Sequence, residues 1–163
     1  MDKKEAGTYA LAAIRILIGW MMIWAFFDKL FGLGFATPHG SGWINGVSPS
    51  SYVVYVTGGL FKDLFTALAG NLFIDILMMS GLLILGITLI AGIAPKLTTF
   101  GISIFMIIMF MLRIPPTNNP VVDEHIVYLV TMIAVYFLGG FERLSLYAKW
   151  KELRIVKMFP ILE

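Results

Sequence analysis

Residues 71–93 read NLFIDILMMSGLLILGITLIAGI, 23 residues with a single charged side chain, Asp75. As a helix rising about 1.5 Å per residue, such a run crosses the roughly 30 Å hydrocarbon core of a bilayer. Three more apolar runs lie around it. The first covers about 9–31, with Arg15 near one end and the pair Asp28-Lys29 near the other. It lacks an Ala-x-Ala-like cleavage site, so it reads as a retained span and not as a signal peptide. The third covers about 97–113 and ends on Arg113, and the fourth covers about 121–141. Only Ala94-Pro95-Lys96 separates the second from the third, a link that makes those helices antiparallel neighbours.

Composition agrees. Of 163 residues, 59% are hydrophobic and 13% charged, with a mean hydropathy of +0.88. Soluble domains average about 25% charge, so this chain carries roughly half of that. Disorder is excluded, because it needs low hydrophobicity and high charge. A net charge of +2 gives no case for nucleic acid. The absence of cysteine removes disulfides, thiol nucleophiles, Cys-ligated metals and iron–sulfur clusters. His39 falls in a loop and His125 on a helix, with no second ligand at metal spacing and no histidine pair for haem. No metal or haem is therefore expected. Phosphate loops, nucleophile elbows and dinucleotide fingerprints are missing too.

The expected fold is all-α: one integral membrane domain over 1–163, a four-helix bundle with an interfacial outer loop at 34–69 and a basic amphipathic tail helix at 142–159. Orientation follows the basic residues near span ends. With the N-terminus inside, the cytoplasmic side collects Lys3, Lys4, Lys96, Arg143, Lys149, Lys151, Arg154 and Lys157, and the outer side only Lys29, Lys62 and Arg113. Both termini are then cytoplasmic. In the outer loop, Leu60, Phe61, Leu64, Phe65 and Leu68 share one helical face, which predicts an amphipathic helix acting as a lid or as a structural cap. In the tail, Leu146, Trp150 and Leu153 suit lipid, and Lys149, Lys151 and Arg154 suit anionic head groups.

An ionisable side chain inside a bilayer costs several kcal/mol unless it is paired or hydrated, so each one is a candidate site. Asp28, Lys29, Asp75, Arg113, Asp123, Glu124 and His125 all fall near the outer boundary and come from all four spans. Arg15 lies low, with Glu142 as its expected counterion; both read as structural. Plainer readings stand beside the functional one. Asn119 caps span four with Pro120 at its first position, and Asp123 and Glu124 then favour the helix dipole. Lys29 and Arg113 snorkel to the interface, and His125 is a structural donor. Asp75 either forms a salt bridge to Lys29 or Arg113 or takes part in binding or proton transfer. The ten methionines pack the core or line a plastic pocket for an isoprenoid or acyl chain.

Several stretches resemble the DoxX/DoxD family of small four-helix membrane proteins. Ile14-Arg15-Ile-Leu-Ile-Gly19 followed by Asp28-Lys29-Leu30 resembles the family's Arg-x-x-x-Gly and its Gly/Asp-Lys pair. Ser80-Gly81 through Gly86 and Gly92 to Lys96 is similar to its Gly-rich second helix and basic turn. Pro115 to Pro120 with Asp123-Glu124-His125 resembles the start of the last helix, and Gly42-Trp43 with Val47-Ser48-Pro49 the DoxD loop. The likeness covers roughly Leu11 to Leu144. One departure is Leu77, where many members carry an acid; Asp75 lies further back.

The resemblance implies a subunit of a thiosulfate:quinone oxidoreductase, passing electrons from a reduced sulfur compound to quinone. A second oxidoreductase subunit, or further copies of the chain, would be partners in the bilayer. On that reading Asp75 or His125 exchanges protons with the quinone. Lys29 and Arg113 hold a carbonyl or oxyanion. Trp24, Tyr128, Asp28 and Glu124 complete the pocket. The alternatives are a non-catalytic assembly or chaperone-like module and a hydrophobic-ligand-binding module.

Overall fold

The computed structural model describes residues 2–117 and 119–163, so Asn118 of the Pro-rich stretch lies outside the described residues. The chain is all-helical, with no strand among the described residues. α1 spans Lys3–Phe31, and α2 (Tyr52–Val56) and α3 (Lys62–Leu68) are short. α4 spans Leu72–Ala91, α5 Pro95–Met111 and α6 Glu124–Phe137. Two short helices, α7 (Tyr147–Glu152) and α8 (Arg154–Met158), form the tail. α1 and α4 are long and apolar enough to cross a membrane; α5 and α6 are shorter apolar helices.

Local chemistry sets the helix ends. Asp2 caps α1, its carboxylate accepting from the Glu5 N–H at 2.7 Å. Gly32 ends α1 in the left-handed region, at φ +65°, with its N–H on the Asp28 carbonyl. A side chain there would also strike the Ser41 and Gly42 backbone, so the 34–69 loop folds directly onto the helix end. Asn71 caps α4, and Pro95 opens α5 without losing a needed N–H. α6 starts later than sequence suggests. Asn119 accepts from Val121 and Val122 N–H in a local turn, whereas Asp123 is the true cap, accepting from His125 and Ile126 N–H at 3.0 and 3.2 Å. The competing acceptor four residues on also bonds the His125 ring.

The four longer helices share one core built from Ile18, Met22, Met79, Leu82, Ile102, Met106, Met132 and Val135. α1 packs most closely on α4, and α5 on α6; the α4–α5 and α1–α6 contacts are sparser. Glycines explain the first pairing. A Cβ on Gly19 would lie 2.9 Å from Leu89 Cβ, and one on Gly86 2.7 Å from Ile23 Cγ1. Small residues on both helices let the backbones approach.

At one end of the molecule sit both chain termini. Arg143 lies 3.8 Å from Glu5 and stacks over Tyr9. The expected tail helix is broken at Leu153, whose ψ of 136° is extended, and its end folds back on α5. Lys96 Nζ donates to the Pro160 carbonyl and Trp150 Nε1 to the Leu162 carbonyl. At the other end, 3-10 turns, α2 and α3 cover the bundle, pinned to the end of α5 by Gly58 N–H on the Leu112 carbonyl and Leu60 N–H on the Ile114 carbonyl.

Candidate functional site

The ionisable residues of the covered end divide into two groups. The first is consumed by folding. Asp28 is 1% exposed, and its carboxylate accepts from Phe35 N–H at 3.2 Å and Thr37 N–H at 2.8 Å. It holds the chain as it turns away from α1. Asp75 is 3% exposed, and Oδ1 accepts from Ser48 Oγ at 2.8 Å and Ser50 N–H at 2.9 Å. Ser50 Oγ in turn accepts from Gly70 N–H at 2.9 Å. Asp75 therefore ties the 34–69 loop to the first turn of α4. It forms no salt bridge with Lys29 or Arg113, because backbone and hydroxyl donors reach it first. A carboxylate already holding two donors and shut away from the cavities is a poor proton shuttle.

The second group borders open space. A cavity of about 200 Å³ lies between the helices beneath the covered end. Its walls include Met21, Met22 and Lys29 of α1, Tyr52 of α2, Met78 and Leu82 of α4, Phe105, Met106 and Met109 of α5, and His125 and Tyr128 of α6. Lys29 is 9% exposed and forms no salt bridge among the described residues, although the charge of Asp28, next to it in the chain, acts on it; its ammonium lies 4.8 Å from the centre of the Tyr52 ring. A cation–π contact offsets part of the cost of burying that charge, and a ligand oxygen would offset more.

His125 Nδ1 lies 2.8 Å from Asp123 Oδ2. If the ring donates that proton to the carboxylate, Nε2 becomes the free acceptor. One residue therefore caps the helix and orients the imidazole. Asp123, Glu124 and His125 also bring one possible ligand atom each to within 4.8 Å of one another, which sequence spacing alone does not reveal.

Lys29 and Tyr52 also border a second, outer cavity of about 530 Å³, lined by Thr37, Ser41, Ser48, Ser51 and Tyr55. The lysine therefore stands between a cavity with several hydroxyls among its walls and a methionine-lined interior.

The other expected site residues lie apart. Arg113 and Glu124 are exposed and border a separate cavity of about 310 Å³ with Thr117 and Asp123. Trp24 faces outward at 37% exposure and meets the Phe35 ring edge-on at 5.0 Å. Trp20 faces outward as well. Glu142 is exposed and is not the counterion of Arg15.

Arg15 is fully buried without an acid among the described residues. Its guanidinium donates to the Leu89 carbonyl and, at 3.2 Å, to that of Ile90. It also donates to the carbonyls of Gly140, Arg143 and Leu144 at 3.0, 3.1 and 2.8 Å. The last carbonyls of α4 have no partner within the helix. A planar five-donor cation satisfies them and suits the negative end of the helix dipole.

Sequence reasoning missed Tyr52, Ser48 and Ser50. The Ser-Pro-Ser-Ser run before Tyr52 marks a turn, but nothing in it indicates which buried carboxylate the turn would meet. No family model, curated protein or solved structure matches the chain.

Proposed function

We propose that the chain is an integral membrane protein, a four-helix bundle of α1, α4, α5 and α6, with both termini in the cytoplasm and the covered end outside. Supporting this, the bundle's flank is apolar: Leu17, Trp20, Phe73, Ile84, Phe100, Val130 and Phe137 are all more than half exposed. Soluble monomers rarely leave so much contiguous apolar surface. The eight basic residues assigned to the inner side agree with this orientation.

Within that bundle, the Lys29 cavity binds a hydrophobic ligand whose head carries a carbonyl, a quinone first of all. One observation carries the reading: a buried ammonium with no salt bridge among the described residues and a carboxylate-oriented imidazole line the same apolar cavity. The ammonium would donate to a quinone carbonyl and favour negative charge developing there. His125 would accept a proton from a quinol, or return one to a reduced quinone, through Nε2. Flexible methionines adapt to the ring. The DoxX/DoxD resemblance extends the proposal to a subunit that delivers electrons from a reduced sulfur compound such as thiosulfate, with a second subunit beside it.

A second reading is a ligand-binding or assembly module without catalysis. It draws on Asp28 and Asp75, two of the expected polar site residues, being committed to the outer loop.

Lipid extraction from the purified protein separates the readings. A co-purifying quinone that is lost in Lys29→Met and retained in His125→Gln, with quinone reduction lost in both, supports the redox function. A bound quinone with no reduction under any sulfur donor supports the module. A protein free of quinone that takes up none when it is added refutes the proposal.

A further inference from the structure

Beside the Lys29 cavity lies another of about 220 Å³, and the two share the walls Val53, Met78, Phe105, Met109 and Leu112. The remaining walls come from α3, α4 and α5, chiefly Leu68, Leu77 and Ile108. Ser50 is the one hydroxyl-bearing residue of the lining, and its hydroxyl is occupied by Gly70 N–H. This space offers a ligand no free polar group.

It is also open sideways. Leu77 is 58% exposed, Ile108 39% and Leu68 38%. α4 and α5 touch sparsely although a short turn joins them, and α3 roofs the gap with no buried residue of its own. An engineered apolar cavity of about 150 Å³ holds a benzene ring, so a longer stretch of hydrocarbon fits here. The other cavity that adjoins Lys29 has the hydroxyls of Thr37, Ser41 and Ser51 among its walls and is the more polar of the two neighbours, so the cleft is the better seat for a hydrocarbon.

The geometry points to a chain-binding cleft: the ligand is a single-chain amphiphile whose head lies at Lys29 and whose isoprenoid or alkyl tail runs between α4 and α5 beneath α3 toward the lipid. This rests on the Lys29 cavity being the head site. It specifies the ligand further, since a chainless head would leave the cleft empty.

Two probes test it on the full chain in lipid nanodiscs: a substituted benzoquinone ring, and the same ring with a long alkyl chain. Leu77→Trp crowds the cleft from its exposed rim, and Ile84→Trp adds the same bulk one exposed site away, outside the lining. Leu77→Trp should weaken the chained probe about fivefold or more, the lower end of what overpacking a filled site costs. It should leave the chainless ring unchanged, and Ile84→Trp should behave as the unsubstituted protein. If Leu77→Trp and Ile74→Trp, the latter at a second α4 wall of the cleft, leave the chained probe as tight as before, the tail lies elsewhere and the cleft is refuted, while the head site stands. If the unsubstituted protein binds neither probe, the head site itself is wrong and the cleft falls with it.

A chain-end diazirine on the long probe provides a readout independent of any variant. Labels within 65–77 or 105–112 support the cleft, and labels confined to other segments overturn it.

Discussion

Asp75 offers the sharpest test, because sequence and structure give it different roles. Its Oδ1 accepts from Ser48 Oγ and Ser50 N–H inside a buried pocket. In Asp75→Asn the amide oxygen still accepts both. Hydrogen bonds to a charged group contribute about 1.5–3 kcal/mol against about 0.5–1.5 for neutral ones, so losing the charge costs about 1 kcal/mol per bond. Relief from burying a carboxylate offsets part of this, leaving about 1 kcal/mol. In Asp75→Ala the buried Ser50 N–H has no acceptor, which costs about 1–3 kcal/mol, and both bonds are gone. A total near 3 kcal/mol is expected. For a chain of this size about 1 kcal/mol moves Tm by about 2–4 °C. Asp75→Asn should then melt about 2–4 °C lower and Asp75→Ala about 6–12 °C lower, by circular dichroism at fixed detergent. Asp75→Ala should also become sensitive to protease near Ser48–Ser50, while Asp75→Asn should match the unsubstituted protein in the proposed quinone binding. The reasoning is refuted if Asp75→Asn melts like the unsubstituted protein but loses quinone reduction, for then the proton matters and the acceptor does not.

Other outcomes follow from the same contacts. Arg15→Met strands the carbonyls of Leu89, Ile90, Gly140, Arg143 and Leu144 and should lower stability by about 3–5 kcal/mol, read as loss of folded protein on size exclusion. Arg15→Lys should recover only part of that, because an ammonium lacks the planar fork. Gly92→Ala combines a left-handed φ of +65° with a Cβ 2.6 Å from Arg15 Nη1, and should lower Tm by at least the shift expected for about 1–2 kcal/mol. Asp123→Ala loses the α6 cap, at about 1 kcal/mol, and frees the His125 ring. Nitrogen NMR of His125 should then report a changed tautomer balance, and Asp123→Asn should restore the stability more than the tautomer.

Much of the architecture was legible because long helices with few polar residues write themselves into composition. Four apolar runs became α1, α4, α5 and α6, and Gly32, Gly92 and Pro95 marked helix ends through backbone geometry. The α6 start was misread because Asn119 and Asp123 are both good caps, and only the folded turn shows which reaches the helix N–H groups. The tail was misread because Leu153 carries no breaker signal; its extended backbone follows from docking on α5. Of the expected site residues, Lys29, His125 and Tyr128 share a cavity, whereas Trp24, Arg113 and Glu124 do not. Depth along a helix is readable from residue number. The direction of a side chain around the axis is fixed by its neighbours.

By itself the sequence determined that the chain is all-helical, and that its polar residues collect near one end of long apolar helices. Hydrophobic periodicity and the cost of unsatisfied backbone require that much locally. Tertiary structure decided how each charge is satisfied. Arg15 found carbonyls in place of Glu142, Asp75 found Ser48 and Ser50 in place of a cation, and Lys29 was left facing a cavity. A buried ion takes whichever donors or acceptors the packed fold brings within about 3 Å, and those come from segments far apart in the chain.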